Sequence, residues 1–255
     1  MKLHGKQIVI VILSIFLLSC NSDDSASKTP VIKLPVTVPP VIETPTIPIA
    51  NSINYLALGD SYTIGQSVCE TCRYPEQLKL ILKATYPQTD FSLKVIARTG
   101  WTTSDLISAI NNENPDANYD LVTLLIGVNN QYQQRDFSLY QKEFPQLLNK
   151  AIALAKGDKK NVLVLSIPDY AYTPFASGYS QANRTKISDE IEQYNTFAEN
   201  TCINNGVSFV SITDITRQGL SNKNLVASDG LHPSELAYKL FTDRILPKVK
   251  MILQD

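Results

Sequence analysis

From residue 53 onward the apolar positions follow two alternating patterns. Near-continuous apolar runs at 121–126 and 161–167 match strands buried on both faces. Shorter runs at 54–58, 91–97 and 207–212 read as further strands. Between them lie stretches with helical spacing. Residues 73–85 carry Leu78, Ile81 and Leu82 on one face, and 103–111 follow Thr103 or Ser104 as a plausible cap. The segments 139–155, 186–204 and 233–252 complete the set, and Pro247 is expected to kink or end the last of them. Strand alternating with helix implies a parallel sheet covered on both faces. The pattern therefore predicts an α/β fold, a three-layer α/β/α sandwich around a five-stranded parallel sheet.

In such sheets chemistry sits in the loops at the carboxyl ends of the strands. Polar, glycine-containing segments do follow the strands here: Gly59-Asp60-Ser61, Arg98-Thr99-Gly100, Gly127-Val128-Asn129-Asn130 and Pro168-Asp169-Tyr170. A late loop, Asp229-Gly230-Leu231-His232, precedes the final helical stretch.

The pattern before residue 52 is different. Lys2 and Lys6 precede an apolar stretch from Ile8 to Leu18 that is too short to span a bilayer comfortably. Residues 1–19 read as a signal peptide. Leu17-Leu18-Ser19-Cys20 resembles a bacterial lipobox, which implies cleavage before Cys20 and lipidation of its thiol. Such an anchor carries more than one acyl chain and would hold stably. Asn21-Ser22-Asp23-Asp24 weakly resembles a surface-export signal of lipoproteins. Residues 25–51 contain six prolines and no glycine, so residues 20–51 are expected to form an extended spacer. The folded domain is then 52–255, attached to the cell envelope, at the outer membrane and with either face open to it.

The 255-residue chain has a formal net charge of −1 and no long run of one sign, which argues against a nucleic-acid partner. Loss of Lys2 and Lys6 with the signal peptide shifts the charge to about −3. The same cleavage removes His4 and leaves His232 as the sole histidine.

That histidine gives the loops a chemical reading. A serine attacks a carbonyl only if a base takes its proton and donors receive the oxyanion. An Asp-Ser pair before a helix is by itself more often a cap. His232 changes this, because Asp229 lies three residues ahead of it across a glycine and can fold back to orient the imidazole. Gly100 lets the backbone approach a reacting atom and present its N–H, and Asn129 can donate without adding charge.

Gly59-Asp60-Ser61-Tyr62, Gly100, Gly127-Val128-Asn129 and Asp229-Gly230-Leu231-His232-Pro233 together resemble the four blocks of the SGNH (GDSL) hydrolases, in the family's order, across about 55–235. The resemblance implies a flavodoxin-like fold and cleavage of esters or thioesters without a metal or other cofactor. It implies Ser61 as nucleophile and His232 as base and then acid, oriented by Asp229. The oxyanion hole would be the Ser61 amide, the Gly100 amide and the Asn129 side chain. The wider runs resemble a lysophospholipase-like esterase subgroup. Where the family often has aspartate after the third-block asparagine, this chain has Asn130, a departure at the position that sets the geometry of Asn129.

Tyr62, Trp101, Asn130, Tyr132, Tyr170 and Phe175 are candidates for a substrate cleft, set against ordinary loop packing. Residues 171–184 are long enough for a wall or lid. Cys69 and Cys72 form a CxxC that, in an oxidising compartment and with no second pair, is expected to close a local disulfide rather than bind metal. Cys202 reads as a buried free thiol. The expected activity is hydrolysis of carboxylic esters of short acyl groups, lysophospholipids or acetylated carbohydrates, by a monomer that meets the membrane only through its lipid. Acyl transfer to another acceptor, and a non-catalytic binding lipoprotein, remain the alternatives.

Overall fold

The computed structural model describes residues 48–254. The expected signal segment, Cys20 and nearly all of the spacer lie outside the described residues. Five strands are present: β1 (Ser52–Gly59), β2 (Asp90–Ala97), β3 (Leu121–Leu125), β4 (Val162–Leu165) and β5 (Ser208–Val210). All pair in parallel, in the order β2-β1-β3-β4-β5. This is the expected α/β sandwich. β3 and β4 are buried at every position, as their apolar runs require.

The helices are α1 (Ser61–Ile64), α2 (Tyr74–Thr85), α3 (Thr103–Glu113), α4 (Val128–Tyr132), α5 (Phe137–Leu154), α6 (Gln181–Asn205), α7 (Thr213–Thr216) and α8 (Glu235–Gln254). The chain steps from β1 to β2 in one direction and from β3 to β5 in the other. Right-handed crossovers then place α2 on one face and α3, α5 and α6 on the opposite face. α8 returns to α2, where the Thr242 hydroxyl donates to the Tyr74 carbonyl at 3.3 Å. Buried Tyr55 and Tyr74 share the Thr123 hydroxyl beneath α2.

Three expectations need correction. Of the two outcomes expected at Pro247, an end to α8 is excluded: the helix runs to Gln254, because Val249 and Ile252 beyond the proline are buried and hold it on the core. The cap of α3 is Thr102, not Thr103 or Ser104. Thr102 and Asp105 form a reciprocal capping box. The hydroxyls of Thr103 and Ser104 are instead taken by Glu143 of α5, at 2.5 and 2.7 Å. Finally, α6 begins at Gln181, five residues before the expected start, capped by the Ser180 hydroxyl.

Register sets the position of the site. Gly59 pairs with Ala97 on one side and Leu125 on the other, so β1, β2 and β3 end level. The three loops that follow emerge side by side where the strand order reverses, between β1 and β3.

Candidate active site

Gly59 ends β1 because no other residue fits there. A Cβ would lie 2.1 Å from Thr63 Oγ1 and 2.4 Å from the Leu125 carbonyl oxygen. The chain turns at once into α1, with Asp60 capping it by accepting the Tyr62 amide at 3.0 Å. Ser61 opens this helix at 3% exposure. Asp60 is fully buried, and its Oδ2 has no partner at hydrogen-bond distance. Burial pushes its carboxyl up to about 7; the Tyr62 amide and its own amide, with the Asn129 side chain, offset this only in part.

The Asp229–His232 loop lies against this turn. His232 Nδ1 is 2.6 Å from Asp229 Oδ2, and the imidazole packs on the Tyr62 ring at 5.1 Å between centroids. Asp229 Oδ1 accepts the amides of Leu231 and His232 at 2.9 and 3.0 Å. Partial burial pushes the Asp229 carboxyl up, but the Ser67 hydroxyl, these two amides and the imidazole outweigh that and hold it well below the usual carboxylate range. An ionised carboxylate only accepts, so Nδ1 carries the proton and Nε2 is left as the free acceptor. Of the three side chains of Ser61, His232 and Asp229, the latter two are bonded to each other. A serine–histidine bond commonly tightens only with substrate.

Gly100 stands in the loop after β2 with φ of 85°, and the space where a Cβ would project is open. Asn129, on the first turn of α4, donates one Nδ2 hydrogen to the Trp101 carbonyl at 3.0 Å. That bond ties the β2 and β3 loops together, and the same amide group faces the Asp60 carboxyl.

Residues 57–240 match the family model described as the GDSL-like lipase/acylhydrolase family. The chain belongs to that family. The GDSL-like family's chemistry makes it a carboxylic ester hydrolase. Three solved structures are similar in fold. An α/β hydrolase enzyme from the metagenome of Lake Arreo, Spain, has TM-score 0.60 at 18% identity, covering 83% of this chain and 100% of its own. An acetylxylan esterase from Geobacillus stearothermophilus has TM-score 0.56 at 18% identity, covering 80% and 96%. The psychrotrophic esterase EstA from Pseudoalteromonas sp., inhibited by monoethylphosphonate, has TM-score 0.55 at 17% identity, covering 81% and 100%. No curated protein matches the sequence.

The six candidate cleft residues of this GDSL-like enzyme divide. Tyr132 and Phe175 are 50% and 38% exposed, and Trp101 is half-buried. Tyr170 is buried, but its ring meets both Tyr132 and Phe175 and forms the wall between them and His232. Two candidates are corrected. Tyr62 is 4% exposed and serves as the floor under the imidazole rather than a cleft wall. Asn130 is wholly buried, with Oδ1 accepting the Thr103 amide at 3.0 Å and Nδ2 donating to the Thr103 hydroxyl at 2.7 Å. It locks α4 to α3, and so steadies Asn129 from behind.

Residues 171–184 form a wall. Two short 3-10 turns, Tyr170–Tyr172 and Pro174–Ala176, lead into α6, and the Phe175 amide donates to the Gly230 carbonyl at 2.8 Å. Cys69 and Cys72 are disulfide-bonded, and Cys202 is free and buried among the described residues.

Sequence reasoning missed two features. Asp169 is fully buried and paired with Arg217 Nε at 3.0 Å, anchoring the loop after β4. Ser67 donates to Asp229 Oδ2 at 2.6 Å from the far end of the nucleophile loop. Neither partner is near in sequence, so no local pattern announced them.

Proposed function

We propose that this enzyme hydrolyses esters through an acyl-enzyme on Ser61, and that its substrate's alcohol side is a polar ring such as an acetylated sugar. The Asp229–His232 bond, with its imidazole packed on the ring of Tyr62 next to Ser61 in the chain, supports the mechanism. His232 Nε2 takes the Ser61 hydroxyl proton as Oγ attacks the ester carbonyl. The Ser61 and Gly100 amides and the Asn129 side chain receive the oxyanion. The C–O bond to the alcohol then breaks, with the proton passing from His232 to the leaving oxygen. Water, deprotonated by the same nitrogen, releases the acid and restores Ser61.

The observation that carries the substrate class is an open cavity of about 520 Å³ beyond Tyr170, between α4 and α6. Tyr132, Tyr170 and Tyr179 offer ring faces, while Gln131, Asn183 and Glu190 offer paired donors and acceptors. Flat apolar faces among planar polar groups suit a pyranose, whose C–H faces stack and whose hydroxyls bond in its plane. Gln131 already donates to Glu190 at 2.7 Å, and a long acyl chain would strip water from this pair and from Asn183 without replacing it, which costs affinity.

We further propose that Cys20 is lipidated and that residues 20–51 hold the domain off a cell-envelope membrane, where surface glycans are within reach. The lipobox-like run before Cys20 supports this. Cys20→Ser should move the protein from the membrane fraction to the soluble one; unchanged partition would refute the anchor.

The central test compares the full-length protein in detergent with Ser61→Ala and His232→Ala on p-nitrophenyl acetate, octanoate and peracetylated xylose. Both variants should lose activity by about 10⁴-fold or more. Acetyl esters, and the sugar above all, should be preferred. A preference for octanoate would overturn the sugar reading in favour of a lipid ester, and activity surviving in Ser61→Ala would overturn the mechanism.

A further inference from the structure

The loop that carries Ser61 does more than present it. Beyond α1 the chain passes through Gly65 and Ser67, both in the left-handed region, with φ of 79° and 68°. A left-handed backbone is unfavourable for a residue that carries a Cβ, so Ser67 needs something to hold it there. Two contacts do so. Its hydroxyl donates to Asp229 Oδ2 at 2.6 Å. Two residues later the Cys69–Cys72 disulfide closes a turn whose Cys72 carbonyl accepts Gln77 Nε2 at 2.5 Å. The same Gln77 nitrogen donates to the Glu235 carbonyl, at 3.1 Å, where α8 begins. The disulfide turn is thus tied to the segment just after His232, and Ser67 to Asp229, three residues before it.

Asp229 has four donors. Three belong to its own loop: the amides of Leu231 and His232, and His232 Nδ1. Ser67 is the fourth, and it comes from the nucleophile's segment. It shares Oδ2 with the imidazole, both at 2.6 Å.

We propose that Ser67, held in its left-handed conformation by the Cys69–Cys72 turn, is a positioning residue that locks the Asp229–His232 pair to the nucleophile loop and moderates the pull of Asp229 on the imidazole. The inference rests on the reading of Ser61, His232 and Asp229 as the reacting set. Other groups face the pair as well. Tyr62 lies under the ring from α1, and Asp169 and Tyr170 line the small cavity beside it. Asp60 and Tyr238 lie behind Tyr62. All are retained when Ser67 alone is substituted. With the Ser67 donor gone, Oδ2 is a stronger acceptor for the imidazolium. The base then keeps its proton to higher pH, and the acid limb of the rate profile moves upward.

The test uses full-length Ser67→Gly, which removes the hydroxyl but suits the left-handed backbone, and Ser67→Asn, which tolerates that backbone and restores a donor. Cys69→Ser/Cys72→Ser opens the turn. Kinetics on p-nitrophenyl acetate are followed from pH 5 to 9, with melting curves alongside and Ser61→Ala as control. Ser67→Gly should lower kcat about three- to tenfold with KM unchanged, and shift the acid limb up by roughly half a pH unit. Ser67→Asn should recover most of both effects. The double cysteine variant should move in the same direction as Ser67→Gly. Wild-type kcat and pH profile in Ser67→Gly, or no recovery in Ser67→Asn, would overturn the positioning role. Wild-type behaviour of the double cysteine variant would remove the turn from it. Activity retained by Ser61→Ala would instead bring down the underlying mechanism.

Discussion

Asp60 sits beside the proposed nucleophile as a buried carboxyl whose proton is retained up to about pH 7. Its effect on stability has a definite sign. Between about pH 4 and 7 the unfolded chain has lost this proton while the native protein keeps it. The native state binds more protons there, so stability falls as pH rises through that window and stays lowered above it. Asp60→Asn keeps a side-chain oxygen to cap α1 but carries no charge. The variant should gain stability over the wild type by about 2–4 kcal/mol at pH 8 and by little at pH 4, measured by denaturant unfolding at the two pH values. An equal difference at both would mean that the buried charge is not the cause. At this scale the Asp229-to-His232 spacing was legible, since the structure bonds those two side chains and packs the imidazole on Tyr62. Ser67 stayed hidden because its meaning lies in a backbone angle and in a partner 162 residues away.

Among elements, the legible features were those written in local periodicity. β3 and β4 appeared as apolar runs, and α2, α3 and α5 by their spacing. The first turn of α6 was not visible because Gln181, Ala182 and Asn183 face solvent and carry no apolar signal. The passage of α8 through Pro247 was not visible because burial of residues beyond it decides the outcome, and burial is a property of the assembled fold. The joint between β4 and α7 is of the same kind. There Asn195 accepts the Ile167 amide at 2.8 Å and bonds the Thr213 hydroxyl at 3.0 Å, while Asp169 pairs with Arg217. Arg217→Ala would leave the fully buried Asp169 charge without its guanidinium. The expected loss is about 2–3 kcal/mol, below that of a wholly buried pair because Arg217 is 34% exposed. Thermal melting checks this, and an unchanged Tm would show the pair to be dispensable. Because the Asp169 loop carries Tyr170, the variant should also bind the proposed sugar esters less tightly.

For the molecule as a whole, the level ends of β1, β2 and β3 bring Ser61, Gly100 and Asn129 to one edge of the sheet, and the loop before α8 adds His232 last. Parallel pairing across long crossovers is slow to form, because each strand waits for the chain between to fold. Refolding from denaturant should therefore regain helical circular dichroism before esterase activity, with activity returning in the slowest phase. Simultaneous recovery of both signals would show that the sheet assembles in a single step.

The wide separation of Ser61 and His232 along the chain has a consequence for timing. A nascent polypeptide emerges with the proposed nucleophile, Ser61, long before the proposed base, His232. Throughout synthesis the serine is an ordinary alcohol, inert toward any ester it meets. On the proposed mechanism, reactivity arrives only once His232 has joined the fold, so a product cut short of it cannot attack the acyl groups around it.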